Sequence, residues 1–283
     1  MRSAPLVRSR ALDELTAFEV GLALRGPGVV LAAAVHGVAM GLVAIVGLGT
    51  FRQVGLGAVT PAALGLLEIG LIVPTLVALV LGAAALHGED EDGVRAALLL
   101  SGADLRDIVL AKLLAVVAVG AVVVATGSGV AALLLASSVQ AGDLAPFGFI
   151  VLVTLLATTA SASIGVLISA LARDRVQAIV AAIAVWALLA VGIDVVVLLA
   201  GSALGAAGPL LVAAAALDPI AAARLAGLIA LGADSHVLGS LGTYVSLTLG
   251  SGRAMSLLVL VIAAWTVVPV AIAAAAIGRR ERS

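Results

Sequence analysis

Cysteine is absent from the 283 residues, which removes disulfides, thiolate metal ligands, a cysteine nucleophile and any lipid anchor attached through sulfur. Aromatic residues make up only 2%, so apolar volume comes from Ala, Leu, Val and Ile. Charge is scarce as well. Asp, Glu, Lys and Arg together reach 11%, against about 25% in ordinary soluble domains. Lys112 is the one lysine, and the net charge of −1 argues against nucleic acid as a partner. What remains is apolar: 63% hydrophobic residues and a mean hydropathy of +1.31. That leaves too little polar surface for a water-soluble globule, so membrane lipid is the solvent, and the 32 glycines allow helices to approach closely.

About 20 apolar residues cross a bilayer as a helix, and a helix satisfies its own backbone hydrogen bonds in lipid. Six segments qualify: 27–48, 62–86, 113–136, 147–172, 178–200 and 255–277. Orientation follows from the basic residues. Arg2, Arg8, Arg10, Arg25, Arg95, Arg106, Lys112, Arg173, Arg175, Arg279, Arg280 and Arg282 fall on one side, and Arg52, Arg224 and Arg253 on the other. This bias predicts a multi-pass plasma-membrane protein with both termini, the 88–107 stretch and a short 173–177 turn in the cytoplasm. A seventh span over 195–217 would place the C-terminal arginines outside and run through Gly201, Gly205, Gly208 and Pro209, which favour a break. The expectation is therefore a break there, followed by short helices at the outer face. Whether 203–217 re-enters the membrane stays open. Residues 1–26 do not read as a signal peptide, because Asp13, Glu14 and Glu19 stand where an apolar run belongs. Leu12, Leu15, Phe18 (or Glu19) and Leu22 are spaced for an amphipathic helix on the membrane surface. No repeat or low-complexity linker divides residues 1–283, so a single membrane domain is expected.

The one dense polar stretch is "GEDEDGVRAALLLSGADLRD", residues 88–107. Gly88 and Gly93 bracket four consecutive carboxylates. Residues 94–100 form a short apolar helical segment, which Ser101 and Gly102 break. Ser101 with Asp104 fits a capping box opening a new helix, whose apolar face, Leu105, Ile108 and Val109, continues into the third span. Such a crosswise helix between spans is a docking knob for a cytoplasmic partner. The blander reading is a solvated loop that only reinforces topology.

Other polar residues are few. Glu68 in the second span and Asp194 in the fifth are carboxylates within apolar helices, where a charge costs about 2.5–3.5 kcal/mol on insertion scales. They are candidates for an intramembrane polar path, against the alternative of protonated or locally bonded acids. His36, His87 and His236, with Met40 and Met255, are the soft ligands available. His36 and Met40 share a helix face, but one such pair is far from a metal site, so no metal is assigned and packing is expected. Gly37 and Gly41 form a Gly-x-x-x-Gly helix-packing signal that would serve a dimer. Asp234, Ser235 and His236 are adjacent in sequence, which does not create a catalytic triad. A phosphate-binding loop needs Gly-x-x-x-x-Gly-Lys-Ser/Thr, and Lys112 is flanked by Ala111 and Leu113. No catalytic residue is assigned.

"GEDEDGVRAALLLSGADLRDIVLAKLL" resembles the cytoplasmic segment of export-type ABC transporter permeases. That family shows a Gly-Glu-x-Glu-x-Gly start, a Leu-rich short helix, a break, an Arg and a Lys before the third span. Gly88, Glu89, Glu91, Gly93, Leu98, Leu99, Ser101, Arg106 and Lys112 fit. Val94 replaces a usual Thr, Gly102 stands where Pro is common, and Ala111 replaces a frequent Gly. "LTAFEVGLALRGP" looks like the family's interfacial helix, with Glu19 at its acidic position and Arg25 near its basic end. "VWALLAVGID", carrying Trp186 and Asp194, and "LDPIAAARLAGLI", carrying Pro219 and Arg224, are similar to the NosY family, the membrane subunit of the NosDFY system that matures copper-containing nitrous oxide reductase.

The resemblance implies an all-α, six-span permease with an interfacial helix at 1–26, a coupling helix between spans two and three, and short outer helices between spans five and six. It implies a homodimer driven by separate cytoplasmic ABC ATPase subunits, with ATP and Mg used by those partners and no cofactor bound by this chain. A NosY-like member would also meet a periplasmic NosD-like protein. The rivals are a general exporter of drug, lipid or peptide, an ATP-independent carrier using Glu68 and Asp194, and a membrane scaffold.

Overall fold

The computed structural model describes residues 5–50, 60–87, 105–136, 144–192, 195, 217–233, 238 and 247–280. Among them are α1 (Pro5–Leu24), α2 (Pro27–Thr50), α3 (Pro61–Ala84), α4 (Leu105–Leu135), α5 (Leu144–Leu171), α6 (Arg175–Ala187), α7 (Pro219–Ala230) and α8 (Ser251–Arg280), with a π-helical turn, Leu188–Gly192, continuing α6. No described residue is in a strand. Six of these helices are long and apolar enough to cross a membrane, which matches the all-α, six-span expectation.

Proline starts several of them, as it should where the missing N–H has no helical partner anyway. Thr60 caps α3, its Oγ1 accepting from Ala63 N at 3.1 Å. Asp218 caps α7, its Oδ1 accepting from Ile220 N at 2.8 Å. Asp174 caps α6 through Gln177 N at 2.8 Å, while Gln177 Oε1 accepts from Arg173 N at 2.9 Å. That reciprocal pair moves the break between α5 and α6 to 172–174, a little before the 173–177 turn expected, and draws Gln177 into the helix. Pro74 inside α3 is tolerated because a transmembrane helix re-satisfies itself locally. Next to it, Thr75 Oγ1 donates to Leu71 O at 2.6 Å.

The helices also run past the apolar limits read from sequence. The third span extends back to Leu105, the fourth to Leu144, the fifth to Arg175 and the sixth to Ser251. Polar residues continue a helix wherever capping or pairing satisfies them, so the end of hydrophobicity is not the end of the helix.

α5 is the central strut, packing against α3, α4, α7 and α8. α3 runs beside it, α2 covers α4 and α3, and α1 lies on α4. Lipid tails supply little drive for helix association, so close packing of small residues does the work. A Cβ on Gly82 would lie 2.6 Å from Ala162 O, and one on Gly165 would collide with Leu79 O. Here α3 and α5 touch backbone to backbone. Around that crossing Leu66, Leu67, Leu71, Leu79, Ile150, Ile220, Leu258 and Ile262 form the main core.

A second cluster joins Leu86, Val109, Leu113, Val166 and Ile277. It gathers the C-terminal ends of α3, α5 and α8 with the N-terminal end of α4. At the opposite end of the bundle Gly47 of α2 abuts Ala62 of α3. Val30, Leu31, Val38, Leu42, Ile45 and Val46 leave an exposed apolar face along α2, which suits hydrocarbon rather than water.

α7, a short helix between the fifth and sixth spans, packs its apolar side into the bundle. Pro219, Ile220, Ala221, Ala222, Ala223, Leu225, Ala226 and Gly227 are buried, and it packs on α3, α5 and α8. Its run of small residues lets it sink among the spans, with Gly227 seated on Leu67.

Candidate functional site

At the end of the bundle marked by the second cluster lie His87, the last described residue before the acidic stretch, and Leu105, the first after it. Gly88, Glu89, Glu91, Gly93, Leu98, Leu99 and Ser101 lie outside the described residues, as does Asp194. The flanks of the acidic segment are firmly held. Leu86 N donates to Ser169 Oγ at 3.1 Å, tying the end of α3 to the end of α5. On the other flank, Arg106 occupies the first turn of α4 and Ile108 and Val109 are buried. Asp107 in the same turn is well placed for the helix dipole.

Lys112 stands two turns into α4, and its Nζ lies 2.7 Å from Glu19 Oε2 on α1. Both side chains are nearly closed off, at 13% and 7% exposure. On the flank of α1 beside Glu19, Phe18 and Leu22 are exposed, so the turn that buries Glu19 points apolar side chains outward. Of the two faces open to the spacing (Phe18 or Glu19), Phe18 takes the outward one. Arg25 is exposed in the break between α1 and α2, where its N–H donates to Leu22 O. Sequence reading assigned Glu19 to the interfacial helix and Lys112 to the coupling segment. The structure joins them across 93 residues. The signal was present: the chain's one lysine and one of its few acids, each in an apolar setting at the same end.

Toward the other end lies a second ion pair. Arg224 Nε of α7 stands 3.0 Å from Glu68 Oε1 of α3. Arg224 Nη2 also donates to the carbonyl of Ala190, within the π turn after α6, at 3.4 Å. Glu68 is thus not a lone intramembrane acid. Its carboxylate and the arginine offset each other's insertion cost, and three elements meet at the guanidinium. Arg224 reaches this place because Asp218, itself fully buried, fixes the start of α7. Between the two pairs, Trp186 Nε1 of α6 donates to Thr75 Oγ1 of α3 at 3.3 Å.

The remaining candidates pack. His36 is buried against Gly127 of α4, where a Cβ would collide with the imidazole ring. Met40 points its methyl toward Gly70 of α3. Among the described residues no three His, Asp or Glu gather as a metal would require. Gly37 and Gly41 face Thr126, Val130 and Leu134 of α4, so that motif fastens two helices of one chain, and this face is not open for a dimer.

Residues 37–282 match the family model described as ABC-2 family transporter protein. No curated protein matches the sequence.

Proposed function

Because the chain belongs to the ABC-2 family of transporter proteins, we propose that it is the permease half of an ATP-driven transporter whose residues 89–100 include the helix that docks a separate ATPase. The chain is a multi-pass membrane protein of transporter type, and the family implies a cytoplasmic ATPase partner. The observation that carries the docking reading is the placement of the acidic segment's flanks. Both emerge at the end of the bundle that gathers Arg25, Lys112, Arg173 and Arg175, the side that the positive-inside rule assigns to the cytoplasm. Both termini would lie there too.

In this mechanism ATP, with Mg, is bound and hydrolysed by the partner, and this chain binds no cofactor. Closure of two ATPases pushes on the segment around Glu89, Glu91, Leu98 and Leu99 of each copy in a homodimer. Movement enters α4 through Arg106 and Lys112, and α1 follows because Glu19 grips Lys112. The bundle then alternates between inward-open and outward-open shapes. Glu68 acts on that route as half of an ion pair, with Asp194 a second polar position.

A narrower reading is NosY-like service to nitrous oxide reductase maturation with a NosD-like periplasmic partner. Of its motif residues, Trp186 and Arg224 make polar contacts that join α6 and α7 to α3, and Pro219 opens α7, which supports a specialised use of that region without naming the cargo. General export of drug, lipid or peptide is the alternative.

The test is co-purification. The ATPase encoded with this permease is expected to co-purify with the wild type and with Glu68→Gln, and to be lost when residues 94–100 are replaced by a Gly/Ser segment. A complex that survives the replacement intact rules out docking through this segment.

A further inference from the structure

Glu68 keeps 42% of its side-chain surface open, and Arg224 keeps 18%. Glu68 lies seven residues inside α3 from Pro61, which at 1.5 Å per residue is about 10 Å below the helix end. The side of the carboxylate that Arg224 leaves open at that depth needs something polar beside it. Acyl chains offer no hydrogen bonds, and an ion facing them would lose its hydration without replacement. Nearby, the Ala190 carbonyl in the π turn is turned to the guanidinium, and the following residue, Val191, is 58% exposed. The buried side of α7 closes the far wall.

We propose that the Glu68–Arg224 pair borders a water-filled mouth at the outer end of the bundle, walled by α3, the π turn and α7, through which polar cargo passes. The inference rests on the transporter reading for the cargo, whereas the presence of water there stands independently of any ATPase. It separates this surface from the exposed apolar face of α2, which hydrocarbon covers.

The native chain has no cysteine, so single introduced thiols report their surroundings. Leu64→Cys and Ile72→Cys flank Glu68 by one turn on each side, are partly exposed in the wild type, and keep the ion pair. Leu42→Cys on α2 and Leu260→Cys on α8 replace residues 58% and 65% exposed at a similar distance from their outer helix ends. Each full-length variant is treated in right-side-out membrane vesicles with a charged, membrane-impermeant thiosulfonate, and labelling is normalised to total thiol after denaturation. A thiol reacts as its thiolate, and desolvation by one pKa unit or more slows it by at least about tenfold. Residues 64 and 72 are therefore expected to react at least tenfold faster than 42 and 260. Equal rates, or labelling of 64 and 72 from the cytoplasmic side only, would overturn the proposal. Co-purification of the ATPase from the same vesicles is scored separately, so a dry mouth beside an intact complex removes this inference and leaves the permease reading standing.

Discussion

Two ion pairs among the described residues are built from the same chemistry and differ in how far water can reach them. Glu19 and Lys112 approach to 2.7 Å and are almost sealed. Glu68 and Arg224 sit at 3.0 Å with the carboxylate nearly half open. The sealed pair lies at the basic end, between the N-terminal helix and the base of α4, where the proposed docking segment would deliver its push. The open pair lies at the far end, where α3, the π turn and α7 meet. Burial strengthens an electrostatic contact and makes it rigid, while water weakens it and lets it exchange partners. The contrast therefore separates a joint from a rim.

The largest effect is expected at the joint. Removing one partner of a buried pair strands the other, at a cost of roughly 3–5 kcal/mol. Lys112→Met and Glu19→Gln should each lower the melting temperature of the purified, detergent-solubilised protein sharply. The double variant Glu19→Met/Lys112→Met should recover most of that loss, because an apolar pair leaves no orphaned charge. If the single variants melt like the wild type, the pair is not the rigid link described.

A middle-sized effect is expected on α3 and α5, the struts between the two ends. Gly82 has Ala162 O, Val166 N and Gly165 Cα within about a Cβ's reach, so a side chain there must push one backbone away from the other. Overpacking typically costs about 1–3 kcal/mol, and Gly82→Val should unfold at a correspondingly lower temperature. Gly148→Val on the same α5, where nothing lies near the added carbon, is the control. Equal behaviour of the two variants would mean that the strut tolerates movement and does not transmit it.

The six spans were legible because each is a long run with at most one charged residue inside it, and Pro27 and Pro61 even mark where two of them begin. The seam between α2 and α4 was half legible. Gly37 and Gly41 announced a close helix contact, but a glycine pattern does not say whether the other helix belongs to the same chain. The charges themselves stood out in the sequence, but which of them pair was illegible for a firmer reason. Helical spacing identifies neighbours three or four residues apart, whereas Glu19 finds Lys112 at a separation of 93. Arg224 was visible as one of three basic residues on the sparse side and within the motif LDPIAAARLAGLI, neither of which names a partner. Its partner became apparent once α7 was seen to sink into the bundle, a consequence of its alanines and Gly227 that composition alone does not orient. The acidic segment's outline was clear from sequence, and its residues 88–104 fall outside the described residues.

The smallest effect in stability is expected at the rim, and there its salt dependence is the telling quantity. An ion pair open to water is worth about 0–1 kcal/mol, so Glu68→Gln, Arg224→Gln and their double variant should form a cycle with a coupling energy in that range. Because ions of the solvent reach an exposed pair and screen it, the coupling should shrink further between low and high salt. The same cycle on Glu19 and Lys112 should give a larger coupling that salt barely alters, since no ions enter a closed contact. The outcome that would erase the distinction is a large, salt-insensitive coupling at Glu68 and Arg224. In that case the outer pair is a second sealed joint, the half-open carboxylate is covered in the assembled protein, and α7 is fixed to α3 as firmly as α1 is fixed to α4.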